Sequence, residues 1–160
     1  MERQRKKMTE EAALVRLSGL CMSAEYCLAD MRRKMQVWDL PDGAEERILQ
    51  RLQQEKFVDE NRYAHAFVRD KSRQNRWGRI RIEFELHKRG ISNDDIQDAL
   101  TEIEEEEDDA TLIALLRQKA KTTKARNEYE LLVKLMRFAA QRGFTQDQVQ
   151  RCLRQAIQES

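Results

Sequence analysis

Apolar residues recur along this chain at helical spacing, in nine stripes separated by short polar breaks. Ala13, Leu14 and Leu17 face one way in a helix expected over residues 9–20. Leu28, Met31 and Met35 form the next stripe, opened by Ser23 as a cap. Ile48, Leu49 and Leu52 follow a helix start at Pro41-Asp42-Gly43. A fourth helix is expected over 59–74, with Tyr63, Ala66, Phe67 and Asp70 at i, i+3, i+4 and i+7. Ile82 and Leu86, then Ile96, Leu100 and Ile103, mark two more. Leu112, Ile113, Leu115 and Leu116 lie in a seventh, over 109–121. Leu135 with Ala139, and Val149, Leu153 and Ala156, complete the series. No segment reads as a strand.

The stripes repeat. Gly90-Ile91-Ser92-Asn93-Asp94-Asp95-Ile96 lies over Gly143-Phe144-Thr145-Gln146-Asp147-Gln148-Val149 at a constant offset of 53, and Leu100 lies over Leu153. In each copy the glycine can take the left-handed conformation that ends a helix. The apolar residue after it packs back on the chain. Ser92 and Thr145 then offer a hydroxyl to an orphan N–H of the next helix. A looser copy stands at the front. The expected fold is all-α: three tandem three-helix repeats stacked into an elongated, curved array. The divisions are a basic N-terminal tail over 1–8 and repeats over 9–54, 55–105 and 106–160.

Composition agrees with helix. Glycine numbers 5 and proline 1 in 160 residues, too few for the turns of a sheet protein. No stretch reaches the roughly 18 apolar residues of a membrane span, and the basic start lacks an apolar core to follow it. A cytoplasmic location is expected. Cys21, Cys27 and Cys152 lack C-x-x-C spacing and stand apart from His65 and His87, so they read as core. There is no phosphate-cradling glycine loop, no nucleophile elbow and no His–carboxylate arrangement. Neither an enzyme nor a cofactor or metal site is expected.

One ordered string goes beyond generic helix: Phe57-Val58-Asp59-Glu60-Asn61-Arg62-Tyr63-Ala64, then Ala66-Phe67-Val68-Arg69, then Trp77-Gly78-Arg79-Ile80-Arg81-Ile82, then Glu85-Leu86-His87-Lys88-Arg89-Gly90-Ile91-Ser92. It resembles the RecX family of bacterial recombination regulators, most strongly over residues 48–100. The resemblance implies a three-repeat helical array that binds the RecA recombinase, usually as a filament on single-stranded DNA. It also implies a protein that modulates RecA, most often inhibiting filament growth, ATP hydrolysis and strand exchange. The chain departs from the family in its first repeat, where Trp38-Asp39-Leu40-Pro41 stands in place of the glycine, and in its balanced charge.

The residues themselves suggest where a partner would bind. Formal charge is +1, from 30 Lys and Arg against 29 Asp and Glu, yet its placement is uneven. Basic residues crowd positions 69–89 around Gln74-Asn75-Arg76-Trp77-Gly78, where guanidinium groups can grip phosphates or carboxylates. The expected contact surface, chosen on charge, is Arg32, Arg33, Lys34, Arg69, Arg73, Arg76, Arg79, Arg81 and Arg89, with Trp77 able to stack on a base. The plain alternative is a solvated helix face with Trp77 packed between repeats. A third cluster runs through Arg117, Lys119, Lys121, Lys124 and Arg126. The acidic run Asp94–Asp109 reads as a solvated junction between the second and third repeats, with Asp108 and Asp109 at the positive end of the following helix. Expected partners are RecA and its single-stranded DNA filament, with weak direct binding of single- or double-stranded DNA. No membrane is expected, and the chain should be a monomer. The alternative is a DNA-binding protein, sequence-independent or helix-turn-helix, that acts without RecA. Against it stand Asp94, Asp95 and Asp98, which would face phosphate.

Overall fold

The computed structural model describes residues 4–158, and among these it has nine helices. They are α1 (Glu10–Leu20), α2 (Leu28–Met35), α3 (Ala44–Gln54), α4 (Glu60–Arg73), α5 (Arg79–Lys88), α6 (Asn93–Leu100), α7 (Glu105–Thr122), α8 (Glu128–Gln141) and α9 (Gln146–Gln158). In each successive trio the first helix packs on the third and the second closes the side: α1 on α3, α4 on α6, α7 on α9. Three hydrophobic clusters result, one to a trio, centred on Leu17, Met31 and Ile48, on Phe67, Ile82 and Ile96, and on Leu116, Phe144 and Val149. The accessible surface of 10906 Å² exceeds by about 30% the roughly 8,400 Å² expected of a compact monomer of this mass. The three-helix units are therefore strung out.

The turn module expected from the sequence forms twice. Gly90 and Gly143 have φ of +75° and +97°. The N–H of Ile91 donates to the carbonyl of Leu86 and that of Phe144 to Ala139, both at 3.2 Å. These are the six-to-one bonds of a Schellman ending. Ser92 and Thr145 accept from the N–H groups of Asp95 and Gln148.

Several expectations are corrected. A short parallel pair, β1 (Lys6–Lys7) with β2 (Trp38–Asp39), joins the chain start to the end of α2, where no strand was expected. Two-residue pairings carry no periodic signal. Ser23 does not cap α2: its hydroxyl donates to the carbonyl of Leu20 in a turn. The cap is Cys27, whose N–H donates to the Asp30 carboxylate while its thiol sits in the second cluster. On α4 the buried set is Tyr63, Ala64, Phe67 and Val68, and Asp70 is exposed. The helix that follows the acidic run starts at Glu105, earlier than the expected start at Asp109. Glu105, Glu106, Glu107 and Asp108 form the first turn of α7, where the helix dipole favours carboxylates. Cys27 and Cys152 are buried, and burial raises their thiols to about 11 and about 12. Cys21 is only partly covered.

A His–carboxylate arrangement, which the sequence did not lead one to expect because its members lie 33 and 37 positions apart, forms where α4 meets α6 and the turn after it: Asn61 and His65 face Asp95, Asp98 and Glu102. Nε2 of His65 lies 2.9 Å from Asp98 and Nδ1 lies 2.8 Å from Glu102. Two carboxylate acceptors require both ring nitrogens to donate, so the ring is held as imidazolium. The Asp98 and then the Glu102 hydrogen bonds raise its pKa above the ordinary value. A raised folded pKa means that this stabilisation is whole below the unfolded value near ~6.5 and is lost as pH rises through the folded one. The urea midpoint should therefore fall between pH 6 and pH 8 in the native protein and stay flatter in His65→Gln. Equal slopes for the two proteins would remove His65 from the account.

Candidate partner-binding surface

The second unit meets the third through backbone. At the start of α5, the N–H of Gly78 donates to the carbonyl of Arg142 at 2.7 Å and that of Ile80 to Gly143 at 2.9 Å. Two orphan donors of one helix thus satisfy the free carbonyls beyond the end of α8, and opposite dipole ends face each other. This explains how Arg79 and Arg81 are tolerated in a first turn that has no acidic residue. Arg142 reinforces the seam by donating from Nη2 to the carbonyl of Asn75 at 3.0 Å. The first unit meets the second more conventionally. The N–H of Leu28 donates to Glu60 at 2.7 Å, and Arg62 binds Glu25 at 2.6 Å. Burial raises the Glu60 carboxyl against the pull of that N–H.

Between these seams the second unit carries a ladder of rings and cations. Tyr63, Phe67 and Lys71 lie one turn apart along α4. Phe67 meets Trp77 edge-on at 6.3 Å. Arg89 sits 4.8 Å from the centre of the Phe67 ring, Lys71 lies 5.1 Å from Trp77, and Arg81 lies 4.0 Å from Trp77. An open groove runs alongside, lined by Glu25, Tyr63, Phe67, Asp70, Lys71 and Arg89. Each guanidinium gains from the ring quadrupole, and the rings gain cover from water.

The residues chosen on charge are thus divided. Trp77, Arg81 and Arg89 come together in the ladder, and Arg89 also binds Glu85 at 2.8 Å. Arg32 is drawn to Glu45 and Glu46 on α3, while Arg33 lies 3.8 Å from Asp30. Lys34 stands 5.1 Å from the Tyr26 ring. Arg69 faces the other side of the unit and binds Glu102 at 3.0 Å. Arg73 lines a small cleft with Glu102, Glu104, Glu107 and Asp108. Arg76, in the left-handed region at φ +56°, and Arg79 are exposed at the corner between α4 and α5. Among the described residues Arg73, Arg76, Arg79 and Lys88 make no ion pair, although the charge of Arg79 partly offsets the burial that raises the Asp108 carboxyl. Lys71 and the exposed Ile80 and Phe84 are absent from the charge-based choice. The spacing Tyr63–Phe67–Lys71 was the available signal for the first of these. In the third unit Lys119 and Arg142 flank the ring of Phe138, at 5.2 and 5.5 Å.

No group of His, Cys, Asp and Glu suited to hold a metal occurs among the described residues, and no helix there is long and apolar enough to cross a membrane. Residues 59–100 match the family model described as RecX, second three-helix domain, and residues 105–153 match the one described as RecX, third three-helix domain. A "Regulatory protein RecX" of Herbaspirillum seropedicae is 31% identical over 136 residues, covering 85% of this chain and 82% of that protein. One from Clostridium perfringens (strain SM101 / Type A) is 26% identical over 120 residues, covering 74% of this chain. The chain spans about half the length of the clostridial relatives, 56% of that one and 50% of a Clostridium botulinum protein. Among solved structures, a RecX from Lactobacillus salivarius superposes with a TM-score of 0.81 at 16% identity, over 92% of this chain and 96% of its own. Another, described as regulatory protein RecX, gives 0.81 at 23% identity, over 88% of this chain and 70% of its own.

Proposed function

We propose, from the premise that this chain belongs to the RecX family, that it regulates the RecA recombinase by binding RecA or the RecA filament on single-stranded DNA. The observation that carries this reading is the match to two consecutive three-helix domains of that family, covering more than half of the chain. An extended array suits a filament: it can touch more than one protomer at once and gain affinity through multivalency. Lying in a groove of the filament, it would hinder entry of a second DNA and the protomer motions that turnover needs. The protein acts by binding, in the cytoplasm, in the control of recombination and DNA repair.

The deciding experiment is RecA ATPase activity on single-stranded DNA, titrated with this protein, beside the protein's own DNA binding at two salt concentrations. Inhibition below stoichiometric ratios with weak DNA binding supports the reading. Full RecA activity with tight, salt-sensitive DNA binding would replace it with direct action on nucleic acid.

The ring-and-cation ladder favours that second reading in part, since interleaved aromatic and basic side chains suit single strands. However, its rings are already covered by the chain's own cations, and Asp94, Asp95 and Asp98 line the neighbouring helix.

The α4–α5 corner makes the first reading specific. Arg76→Glu with Arg79→Glu should weaken RecA inhibition about tenfold, mainly through slower association. Unfolding free energy should change by no more than about 0.5 kcal/mol, as for exposed positions generally. Unchanged inhibition would remove the corner from the contact.

A further inference from the structure

Helix α5 carries two apolar faces where a solvated helix needs one. Along Ile80-Arg81-Ile82-Glu83-Phe84-Glu85-Leu86 the apolar residues fall at every second position. Two positions advance about 200° around a helix. Ile82 and Leu86 are fully buried, so Ile80 and Phe84 must point the other way, and they are 53% and 62% exposed. They lie one turn apart on the outer ridge, which makes them neighbours. Among the described residues the other large exposed apolar side chains are Val15, Met22, Val37 and Tyr129, no two of them three or four positions apart in sequence. Apolar side chains on a solvent face, with the core complete without them, mark a site of interaction.

The surroundings name the partner's chemistry. In the loop that leads into α5, four residues before Ile80, stands Arg76, and one turn after Phe84 stands Lys88, both exposed and, among the described residues, making no ion pair. The nearby carboxylates are engaged inside the fold: Glu83 accepts from Gln97 at 3.1 Å, and Glu85 is bound by Arg89. Ile80 itself is held by the seam bond to Gly143, so the ridge is presented rigidly. We propose that the Ile80–Phe84 ridge is a docking surface for an acidic amphipathic helix of a partner protein, whose apolar stripe covers the pair while carboxylates on its flanks meet Arg76 and Lys88. It rests on the reading above only in that the partner is a protein. Phe84 is the anchor and Ile80 its apolar neighbour.

The test uses the whole chain and a synthetic amidated peptide of about 18 residues, with leucines at i, i+3, i+4 and i+7 and glutamates between them. Two-dimensional amide NMR should show saturable shifts confined to α5 and its preceding loop. Phe84→Ala with Ile80→Ala should weaken binding about 30-fold. Arg76→Glu with Lys88→Glu should weaken it about tenfold and remove its salt dependence. Circular dichroism should be unchanged in both. Shifts elsewhere, no saturation, or equal binding of the lysine-for-glutamate peptide would overturn the proposal. So would shifts at Phe84 that follow protein concentration alone, which assign the ridge to a second copy, or shifts there with a single-stranded oligonucleotide and not the peptide. The same apolar double variant is then assayed on RecA. If native protein inhibits and the variant inhibits equally, the ridge does not contact RecA, and the peptide titration alone decides whether it is a docking surface. If native protein has no effect on RecA, the RecA reading fails and the peptide titration alone decides the ridge.

Discussion

Gly78→Ala is expected to cost about 3 kcal/mol and to uncouple the third unit from the second, the upper end of what overpacking does. A Cβ at this glycine would lie 2.3 Å from the backbone carbon of Gly143, 2.4 Å from its oxygen and 2.4 Å from the nitrogen of Phe144. All three are backbone atoms, so no side chain can swing aside. The chain can relieve the clash only by opening the seam, which lengthens the Gly78–Arg142 and Ile80–Gly143 bonds together. Gly143 is closed from the other side as well, since its own Cβ would lie 2.4 Å from Arg81. Urea unfolding followed by Trp77 fluorescence, with Trp38 replaced by Phe, should move to lower denaturant. Backbone signals should show the third unit melting separately. One transition with an unchanged midpoint would mean that the seam contributes nothing to stability.

Phe144→Ala should cost still more, about 3–5 kcal/mol, the range for emptying a buried phenylalanine site. Phe144 is 2% exposed and sits in the third cluster with Leu116, Leu135 and Val149. Its N–H closes the Schellman bond to Ala139, so the ring is aimed inward by the same turn that ends α8. The backbone of this turn also receives the two seam bonds. A cavity here therefore loosens the unit's interior and its junction at once. Chemical denaturation compares this variant with Ile91→Ala, the corresponding residue of the second unit, which has no seam at its turn. Its glycine, Gly90, has open space where a Cβ would go. An excess loss in Phe144→Ala beyond the ~1 kcal/mol that the larger side chain alone accounts for measures the seam, and a difference no larger than that would show that the turn acts only locally.

What the sequence by itself determined is the set of features decided within a few residues. Glycine, an apolar residue and a hydroxyl in a row imply a left-handed helix ending, an inward anchor and a cap. Those bonds span three to five positions, so Gly90-Ile91-Ser92 and Gly143-Phe144-Thr145 were legible without coordinates. The helical stripes were legible for the same reason, and their repetition implied the three-unit architecture, while the family resemblance rested on the ordered string of residues between Phe57 and Ser92. Where two local solutions compete the reading slipped. Ser23 is a good cap by chemistry, yet Cys27 caps α2 because burying its thiol in the neighbouring unit also anchors the helix start.

Only the tertiary structure decided which cations are spent and which remain. Arg32 and Arg69 look like free charge in a list of basic residues. Their partners Glu46, on α3, and Glu102, in the turn after α6, lie 14 and 33 positions away. Trp77 receives Arg81 only because the loop before α5 folds back on α4. Gly78 carries no local sign of its constraint, since the backbone of Gly143, which forbids it a Cβ, is remote in the chain. Ile80 and Phe84 belong to an apolar run whose outward half becomes visible only when the other half is seen buried. Charge pairing, close approach and exposure depend on distances between helices, and helix-to-helix distance is set by packing, which no local pattern encodes.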